Sequence, residues 1–298
     1  MVETSQQKAV SGLSEHVSRV MWRLYEPIHS VVYFHPNATA SYSEAGLKGG
    51  WMSYFASRSA ALGTPSAEVV QAAFYHFAPA MVRRAIPDAW SLASPREILK
   101  VRHEIAVDAI QNGVEGLVSK TQFDRIASRL YDIAITLPIS GRVLYAAHLT
   151  VNWGDSAAAR LFGAATLLRE HRGDTHNAAL AAHGIDGVQS HLLQIAAGAV
   201  THDLIFPTRG WSVETWNEGF EKLLSAGILS TYSTPRQPIL TDLGRDIKNQ
   251  IESQTDSNSN PWFSLEGSRL ANIRTDLKEI SAAVRSYVGF PANNPIGV

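Results

Sequence analysis

The chain has 298 residues, a formal net charge of −1, a hydrophobic fraction of 45% and a charged fraction of 18%. This composition can fill a sizeable core and argues against a disordered chain. The near-zero net charge argues against a large footprint on DNA or RNA. There is no cysteine, which excludes disulfides, zinc fingers, iron–sulfur clusters and thiol catalysis. The polar N-terminus and the lack of a long apolar run predict a cytoplasmic protein without a membrane segment.

Apolar residues at steps of three and four predict helices through the first half of the chain. One helix begins near Glu15 and meets Pro27, which predicts a kink or a second start. At 94–97 a helix start is predicted, because Ser94 can cap the helix, Pro95 fits its first turn and Glu97 can bond back to the cap. The helices predicted after Pro27 are 50–62, 67–84, 95–111, 121–136, 142–151 and 156–171, with a turn and a new cap expected at 172–176.

The stretch 211–252 has a different pattern. Ser212 can cap a helix that Gly227 would end. Two short apolar segments, 228–232 and 238–240, then predict a β-hairpin around the turn Ser233-Thr234-Pro235-Arg236, and Thr241 can cap a further helix. The polar tract 253–260 is predicted to be a loop.

This order of helix, glycine, hairpin, cap and helix resembles the wing of MarR-type regulators. The matching residues are Leu223, Leu224, Gly227, Ile228, Leu240, Thr241 and Gly244. The match covers about a seventh of the chain, and it bears on fold more than on function, because one fold hosts many functions.

Four other segments carry a second similarity. They are LREHRGDTHNAAL at 168–180, Arg209-Gly210-Trp211, Glu26-Pro27-Ile28-His29, and the stretch from Thr255 to Trp262. Together they resemble an actinobacterial helix-turn-helix family, the SalK-like family, over most of the chain. The resemblance implies a helix-turn-helix fold and little about mechanism.

We therefore predict a mostly α protein in two parts, with more than half of its residues in helices. Residues 14–150 form a helical region, which we interpret as a ligand-binding region. Residues 156–290 form a winged-helix-like domain with one short β-hairpin. A homodimer is a further prediction.

Charge disfavours DNA as a partner of the predicted wing. Residues 205–253 hold five basic and six acidic side chains, and a helix in the major groove would be repelled by phosphates through its own carboxylates. Those carboxylates are Glu214, Glu218 and Glu221. Arg236 is the one cation of the predicted wing and thus the candidate DNA contact. The alternative role of the segment is packing or dimerisation.

Four residues are candidates for acid–base catalysis. Glu26 and His29 are three residues apart and can share a helix face, and a carboxylate can tune a histidine toward neutral pH. Asp174 and His176 lie in the densest group of histidines. The spacing does not favour a metal site, because no HExxH motif is present. Each histidine can equally be a satisfied core residue or part of a helix cap.

Tyr54, Arg58, His76 and His29 are the candidate ligand-binding residues. Tyr54 and Arg58 are four residues apart and can face one way on a helix, and His76 stands among Phe74, Tyr75 and Phe77. Binding pockets combine aromatic walls with a few polar groups in this way. An ordinary core with polar tips has the same composition.

Three functions remain open at this point. The first is a small-molecule-binding, winged-helix-like protein that acts as a ligand-responsive transcription regulator. The second is an enzyme of secondary metabolism that uses histidine and carboxylate chemistry. The third is an interaction protein that only dimerises. The sequence has no GxGxxG, Walker or GxSxG motif, which argues against nucleotide enzymes and hydrolases of those kinds. We predict no organic cofactor, and no metal because the histidine spacing does not favour one.

Overall fold

A computed structural model describes residues 16–265, 267–291 and 294. Helices account for 71% of these residues, which confirms the prediction that helices hold more than half of the chain. Residues 14 and 15, at the start of the first predicted domain, lie outside the described part.

Fifteen α-helices run through the described residues. They are α1 (Val17–Phe34), α2 (Ala38–Glu44), α3 (Gly49–Ser59), α4 (Ala67–Ala73), α5 (Pro79–Arg83), α6 (Asp88–Leu92), α7 (Pro95–Val114), α8 (Lys120–Ala134), α9 (Val143–His148), α10 (Ala157–Ala182), α11 (Gly187–Ala196), α12 (His202–Ile205), α13 (Val213–Ser225), α14 (Asp242–Asn258) and α15 (Gly267–Val288). Short 3-10 helices lie at Ala60–Leu62, Phe206–Thr208 and Pro261–Ser264.

The larger of two hydrophobic cores surrounds α10. Helices α1, α7, α8 and α9 pack against α10, and α15 closes the bundle against α1 and α7. Phe162, Leu161 and Tyr145 are fully buried at its centre. Residues 17–168 and 262–288, which build this core, are called the helical body below.

The smaller core lies between α11, α13 and the loop that follows α13. Helices α11 and α13 approach closely at Gly219, where a Cβ atom would lie 2.6 Å from Val188. Trp216 and Leu223 of α13 fill the space between them. Residues 179–251, which build this core, are called the C-terminal module.

The predicted domain division at 14–150 and 156–290 stays a prediction. Helix α10 contributes Leu161 to Leu168 to the core of the body and Ala179 and Leu180 to the core of the module. Among the described residues, no helix is long and apolar enough to cross a membrane.

The winged-helix prediction with its β-hairpin is wrong. The described residues contain no β-strand, and pairing between 228–232 and 238–240 is limited to one antiparallel bridge between Leu229 and Leu240. The reason lies in the donors. The Ile239 N–H donates to the Ser233 hydroxyl at 2.9 Å, so it is not available to the carbonyl of the opposite segment, as a second ladder step would require. Pairing therefore stops after one bridge, and the fold class is all-helical over the described part.

The predicted helix 67–84 is broken into α4 and α5. The chain turns at Tyr75, which has a positive φ of 24°, and the Gln71 side-chain amide donates to the Phe77 carbonyl at 2.7 Å. Pro79 then begins α5 instead of bending a continuous helix. At Pro27 no second helix starts, since α1 continues through it to Phe34, and the alternative of a kink there stays a prediction.

Two predicted irregular stretches are helical. The turn expected at 172–176 lies inside α10, where Arg172 and Asp174 are buried. The loop predicted at 253–260 continues α14 to Asn258. Asp256 explains the second case, because it is buried and forms ion pairs with Arg19 at 2.6 Å and Arg172 at 2.8 Å. Tertiary contacts override the local polarity of both segments.

Candidate functional site

An aromatic cleft of about 420 Å3 opens in the helical body between the end of α1, α2 and α3. Its walls are formed largely by ring side chains, with one cation among them. These lining residues are Tyr33, Phe34, Tyr42, Trp51, Tyr54, Phe77 and Arg209. We refer to it below as the cleft. Its volume lies within the usual range for small-molecule sites, about 300–1,000 Å3.

Tyr54 stands at the centre of the cleft wall. Its ring centroid lies 5.1 Å from that of Tyr33, 5.5 Å from that of Phe77 and 5.6 Å from that of Trp51. Such edge and tilted contacts fix the rings at favourable angles. The Tyr54 hydroxyl accepts a hydrogen bond from Arg58 Nη1 at 2.8 Å, so the predicted pair meets as the helix spacing indicates.

Arg58 belongs to a buried charge network behind this wall. Its guanidinium donates to both carboxylate oxygens of Glu170 on α10, at 3.2 and 2.9 Å. Glu170 also accepts from Arg169 at 2.7 Å. Burial alone would raise the pKa of Glu170, but Arg169 and Arg58 lower it well below its usual range. The carboxylate therefore stays charged and holds Arg58 against the cleft wall.

Glu26 and His29 lie next to this network but have separate partners. Glu26 accepts from the Trp22 indole N–H at 2.9 Å and lies 3.6 Å from Arg169. His29 is hydrogen-bonded to Thr166 through Nδ1 and to Tyr33 through Nε2, both at 3.1 Å. Burial, with Arg102 and Arg169 next, lowers the pKa of His29 well below its usual value. His29 is thus a neutral support for the Tyr33 hydroxyl.

His76 lies away from the cleft, where the body meets the C-terminal module. Its ring centroid is 6.1 Å from that of His176 and 5.5 Å from that of His191. The backbone carbonyl of His76 accepts from His191 Nε2 at 2.9 Å and from the Trp211 indole at 3.1 Å. Burial, reinforced by the neighbouring histidines, holds the pKa of His76 well below its usual value. These neutral rings form a junction between the two parts.

Asp174 and His176 do not meet either. Asp174 accepts from the Tyr145 backbone N–H at 3.0 Å, and burial raises its pKa to about 7. His176 is hydrogen-bonded to Thr255 of α14 at 3.0 Å. The described residues include no group of three or more acidic or histidine side chains placed to hold a metal ion.

The C-terminal module presents acidic side chains to solvent. Glu214, Glu218 and Glu221 are exposed along α13, with Lys222 beside them. Arg236 is exposed in the loop after α13, where it forms an ion pair with Asp203 at 2.6 Å. The candidate DNA contact is thus partly neutralised within the module.

A family model described as a helix-turn-helix family matches residues 18–291. This chain belongs to that helix-turn-helix family. No curated protein and no solved structure matches the chain significantly. The family match spans the helical body as well as the C-terminal module, and it therefore includes the residues that line the cleft.

Three residues of this helix-turn-helix protein were not among the site candidates of the sequence analysis, although Arg209 lies in a segment that carries the family resemblance. Tyr42 and Arg209 line the cleft, and Arg102 is buried behind it, where its Nη1 donates to the Ser57 carbonyl at 3.2 Å. The sequence did contain a signal for Arg102, because this residue shares a predicted helix face with Ile98 and Ile105. A charged side chain on an apolar face is costly to bury and therefore indicates a specific role. Tyr42 and Arg209 carry no such signal, because their contacts are set by tertiary structure.

Proposed function

We propose that this helix-turn-helix protein is a small-molecule-responsive regulator, with the cleft as its binding site and the C-terminal module as the part that responds. The observation that carries the proposal is the position of Arg209. This residue lines the cleft and precedes α13 by only three residues, since Ser212 caps that helix and Val213 begins it.

Arg209 is joined to the body as well as to α13. Its guanidinium carbon lies 4.9 Å from the centroid of the Phe77 ring, and its backbone carbonyl accepts the Ala78 N–H at 2.9 Å. Gly210 follows with a φ of +75°, and a Cβ there would lie 2.8 Å from Met81. The segment from Arg209 to α13 therefore has little conformational freedom. A ligand that displaces Arg209 would move this segment as a whole.

Trp211 extends this connection into the module. It packs against both hydrophobic cores, and its indole shares the His76 carbonyl with His191 of α11. A shift of Trp211 would consequently displace α11 and α13 together. This supports a rigid-body response of the module to events in the cleft.

DNA is the target expected of a helix-turn-helix family. The exposed glutamates of α13 lower the attraction of this helix for phosphates, so we propose that the contact with DNA is weak. The acid–base candidates are each hydrogen-bonded to a structural partner, and of these His29 supports the cleft through its bond to the Tyr33 hydroxyl.

The proposal is tested by hydrogen–deuterium exchange. Aromatic compounds are first screened for those that raise the melting temperature of the full chain and lose this effect in Trp51→Ala, which removes part of the cleft wall. Tyr232→Ala, which truncates an aromatic side chain that is 86% exposed in the module, is the matched control. Such a compound is expected to change amide exchange across residues 202–225. Binding in the cleft with unchanged exchange in that segment would refute the regulatory role.

A further inference from the structure

Within the proposed function, we infer that the ligand of the cleft is an aromatic carbonyl compound, a flat ring system whose ketone or quinone oxygen accepts a hydrogen bond from the Tyr54 hydroxyl. The inference names the class of ligand and the residue that selects it, and it rests on the proposal that the cleft is the ligand site. Three features of the described residues support it.

The first feature is the kind of polar group that the lining offers. Among the described residues that line the cleft there is no carboxylate, no side-chain amide and no histidine. The polar side chains there are hydroxyls, one indole and one guanidinium, of which the last two only donate hydrogen bonds. Side-chain acceptors are therefore limited to hydroxyl oxygens. A ligand that accepts hydrogen bonds suits such a lining better than one that donates them.

Three of the lining hydroxyls already have partners within the protein. Ser53 and Ser57 donate to backbone carbonyls of α3, at 3.0 and 3.4 Å. The Tyr33 hydroxyl is hydrogen-bonded to His29 Nε2 at 3.1 Å. These bonds hold the three hydroxyls in the wall, so the selection of a polar ligand atom falls to other donors.

The second feature is the proton of the Tyr54 hydroxyl. The oxygen of this hydroxyl accepts from Arg58 Nη1 at 2.8 Å. Because arginine can only donate, that bond leaves the hydroxyl proton unused. No described residue accepts this proton, since the bond from Arg58 is the one hydrogen bond that the Tyr54 hydroxyl makes. Tyr54 lines the cleft, so a ligand oxygen there would be the acceptor that the proton lacks.

The charge network behind the wall makes this hydroxyl a stronger donor. Glu170 holds Arg58 in place through two hydrogen bonds, and the guanidinium carbon lies 4.4 Å from the centroid of the Phe74 ring. A hydroxyl that accepts from a fixed cation is polarised, and it donates its own proton more strongly. Since Glu170 carries the charge opposite to that of Arg58, the pair adds no net charge to the wall. An uncharged carbonyl oxygen is therefore a sufficient acceptor.

The third feature is the set of rings around this donor. Tyr33, Phe77 and Trp51 lie within 5.1–5.6 Å of the Tyr54 ring, measured between centroids. Their flat apolar surfaces favour an aromatic body in the ligand. Trp51 is 38% exposed, and its indole N–H makes no hydrogen bond to the described residues. It is a second donor of the lining, so a ketone would use the Tyr54 donor and a quinone could use both.

The test compares two probes of the same shape, 2-acetylnaphthalene and 2-isopropenylnaphthalene, in which a methylene group replaces the carbonyl oxygen. Equilibrium dialysis against the full chain gives the affinity for each. Tyr54→Phe keeps the ring and removes the donor, so affinity for the ketone should fall about tenfold, as the loss of one hydrogen bond gives, and affinity for the hydrocarbon should change less than about twofold. No binding of the ketone to the wild type up to its solubility limit would overturn the inference.

Two further variants show whether the effect belongs to Tyr54. Tyr232→Phe makes the same change at an exposed position of the module and is the control for both affinities. Tyr33→Phe removes a lining hydroxyl that is already bonded to His29, so it should not weaken the ketone relative to the hydrocarbon. Parallel weakening of both probes in Tyr54→Phe, no effect of that variant, or an equal selective loss in Tyr33→Phe would contradict the assignment.

A measurement on the wild type covers the case in which Tyr54→Phe does not fold. The carbonyl stretching band of bound 2-acetylnaphthalene is isolated as the infrared difference between the unlabelled ketone and the ketone with a 13C-labelled carbonyl. A hydrogen bond from Tyr54 should place this band at a lower wavenumber than in hexane. A band at its position in hexane would overturn the inference.

The same probes separate this inference from the proposed function. If the ketone binds with the expected dependence on Tyr54 but amide exchange across residues 202–225 stays unchanged, the carbonyl site stands and the regulatory role fails. If Tyr54→Phe binds both probes as the wild type does and both alter that exchange, the regulatory role stands and the carbonyl assignment fails.

Discussion

The helical body and the C-terminal module differ in where their carboxylates lie. The body buries Arg58 and Arg102, and Glu170, on the adjoining part of α10, is buried as the partner of Arg58, whereas the described residues of the module bury no carboxylate and expose Glu214 and Glu218 on α13. Burying ions costs free energy that a hydrophobic core of equal volume would not require. In the body, the buried ions have a structural role, because the network positions the tyrosines of the cleft. The module instead has an apolar core and exposed carboxylates, as expected of a unit held together by packing.

The largest effect is expected from breaking the buried network. Glu170→Gln removes the partner of Arg58 and Arg169, which leaves uncompensated charge in the core, so we expect a loss of about 3–5 kcal/mol in the free energy of unfolding. Urea unfolding of the full chain measures it. Glu221→Gln, on the exposed face of α13, should change this quantity by less than about 0.5 kcal/mol. Similar losses of unfolding free energy in both variants would show that the body does not depend on buried charge more than the module does.

The next largest effect is expected at the junction. A Cβ atom at Gly187 would lie 2.3 Å from the Tyr75 carbonyl oxygen and 3.2 Å from the Trp211 ring. Gly187→Ala should therefore destabilise the protein by about 1–3 kcal/mol, as overpacking does, and loosen α11 from the body. Gly173→Ala is the control, because its nearest neighbour would be the Arg169 side chain at 3.4 Å and alanine favours a helix interior by about 1 kcal/mol. A loss at Gly173 equal to that at Gly187 would argue against a rigid junction.

Local signals in the sequence predicted the helices where they were complete. The capping box at Ser94 and Glu97 is present as predicted, and Ser212 and Thr241 cap α13 and α14. Besides the broken helix at 67–84, three stretches were predicted wrongly, two because tertiary contacts decide them and one because of a local side-chain hydrogen bond. Asp256 is held in a helix by two arginines, 172–176 is buried within α10, and Ser233 ends the strand pairing at Ile239.

The candidate site was predictable only in part. The pairing of Tyr54 with Arg58 follows from helical spacing, and the structure brings it together at the cleft. Tyr42 and Arg209 come from α2 and from the segment before α13, so no local pattern relates them. His76 was grouped with Tyr54 because both stand among aromatic residues, but the turn at Tyr75 directs His76 to the junction.

A smaller effect is expected from pH at the junction. Burial and then Arg209 lower the pKa of His191 to about 4, below its value of about 6.5 in an unfolded chain. The unfolded state therefore binds the proton first, and the stability that neutral His191 contributes is present above pH 6.5 and is lost as pH falls toward 4. Wild type should lose about 1–2 kcal/mol more than His191→Gln between pH 7 and pH 5. Comparing the two proteins cancels Asp174, whose raised pKa acts in the opposite direction.

That comparison is made by urea unfolding at both pH values. Glu221→Gln, outside the junction, should keep the wild-type dependence on pH. If His191→Gln keeps it as well, the junction does not respond to protonation at this position.

The smallest effect is expected on DNA binding, where the exposed charge of the module can be measured directly. At physiological salt the full chain should bind random duplex DNA with a Kd of about 10⁻⁵ M or weaker, because three glutamates on α13 oppose the phosphates. Replacing Glu214, Glu218 and Glu221 by Gln should tighten this binding about three- to tenfold. The control makes the same change of net charge at exposed positions of the body, with Glu44, Glu104 and Glu115 replaced by Gln. Both affinities come from fluorescence anisotropy over a range of salt concentrations. If the affinity of the control variant for DNA rises as much as that of the α13 variant, net charge alone governs the contact and α13 does not face DNA. Nanomolar, steeply salt-dependent binding by the wild type would show that the acidic side chains of the module do not limit its affinity for DNA.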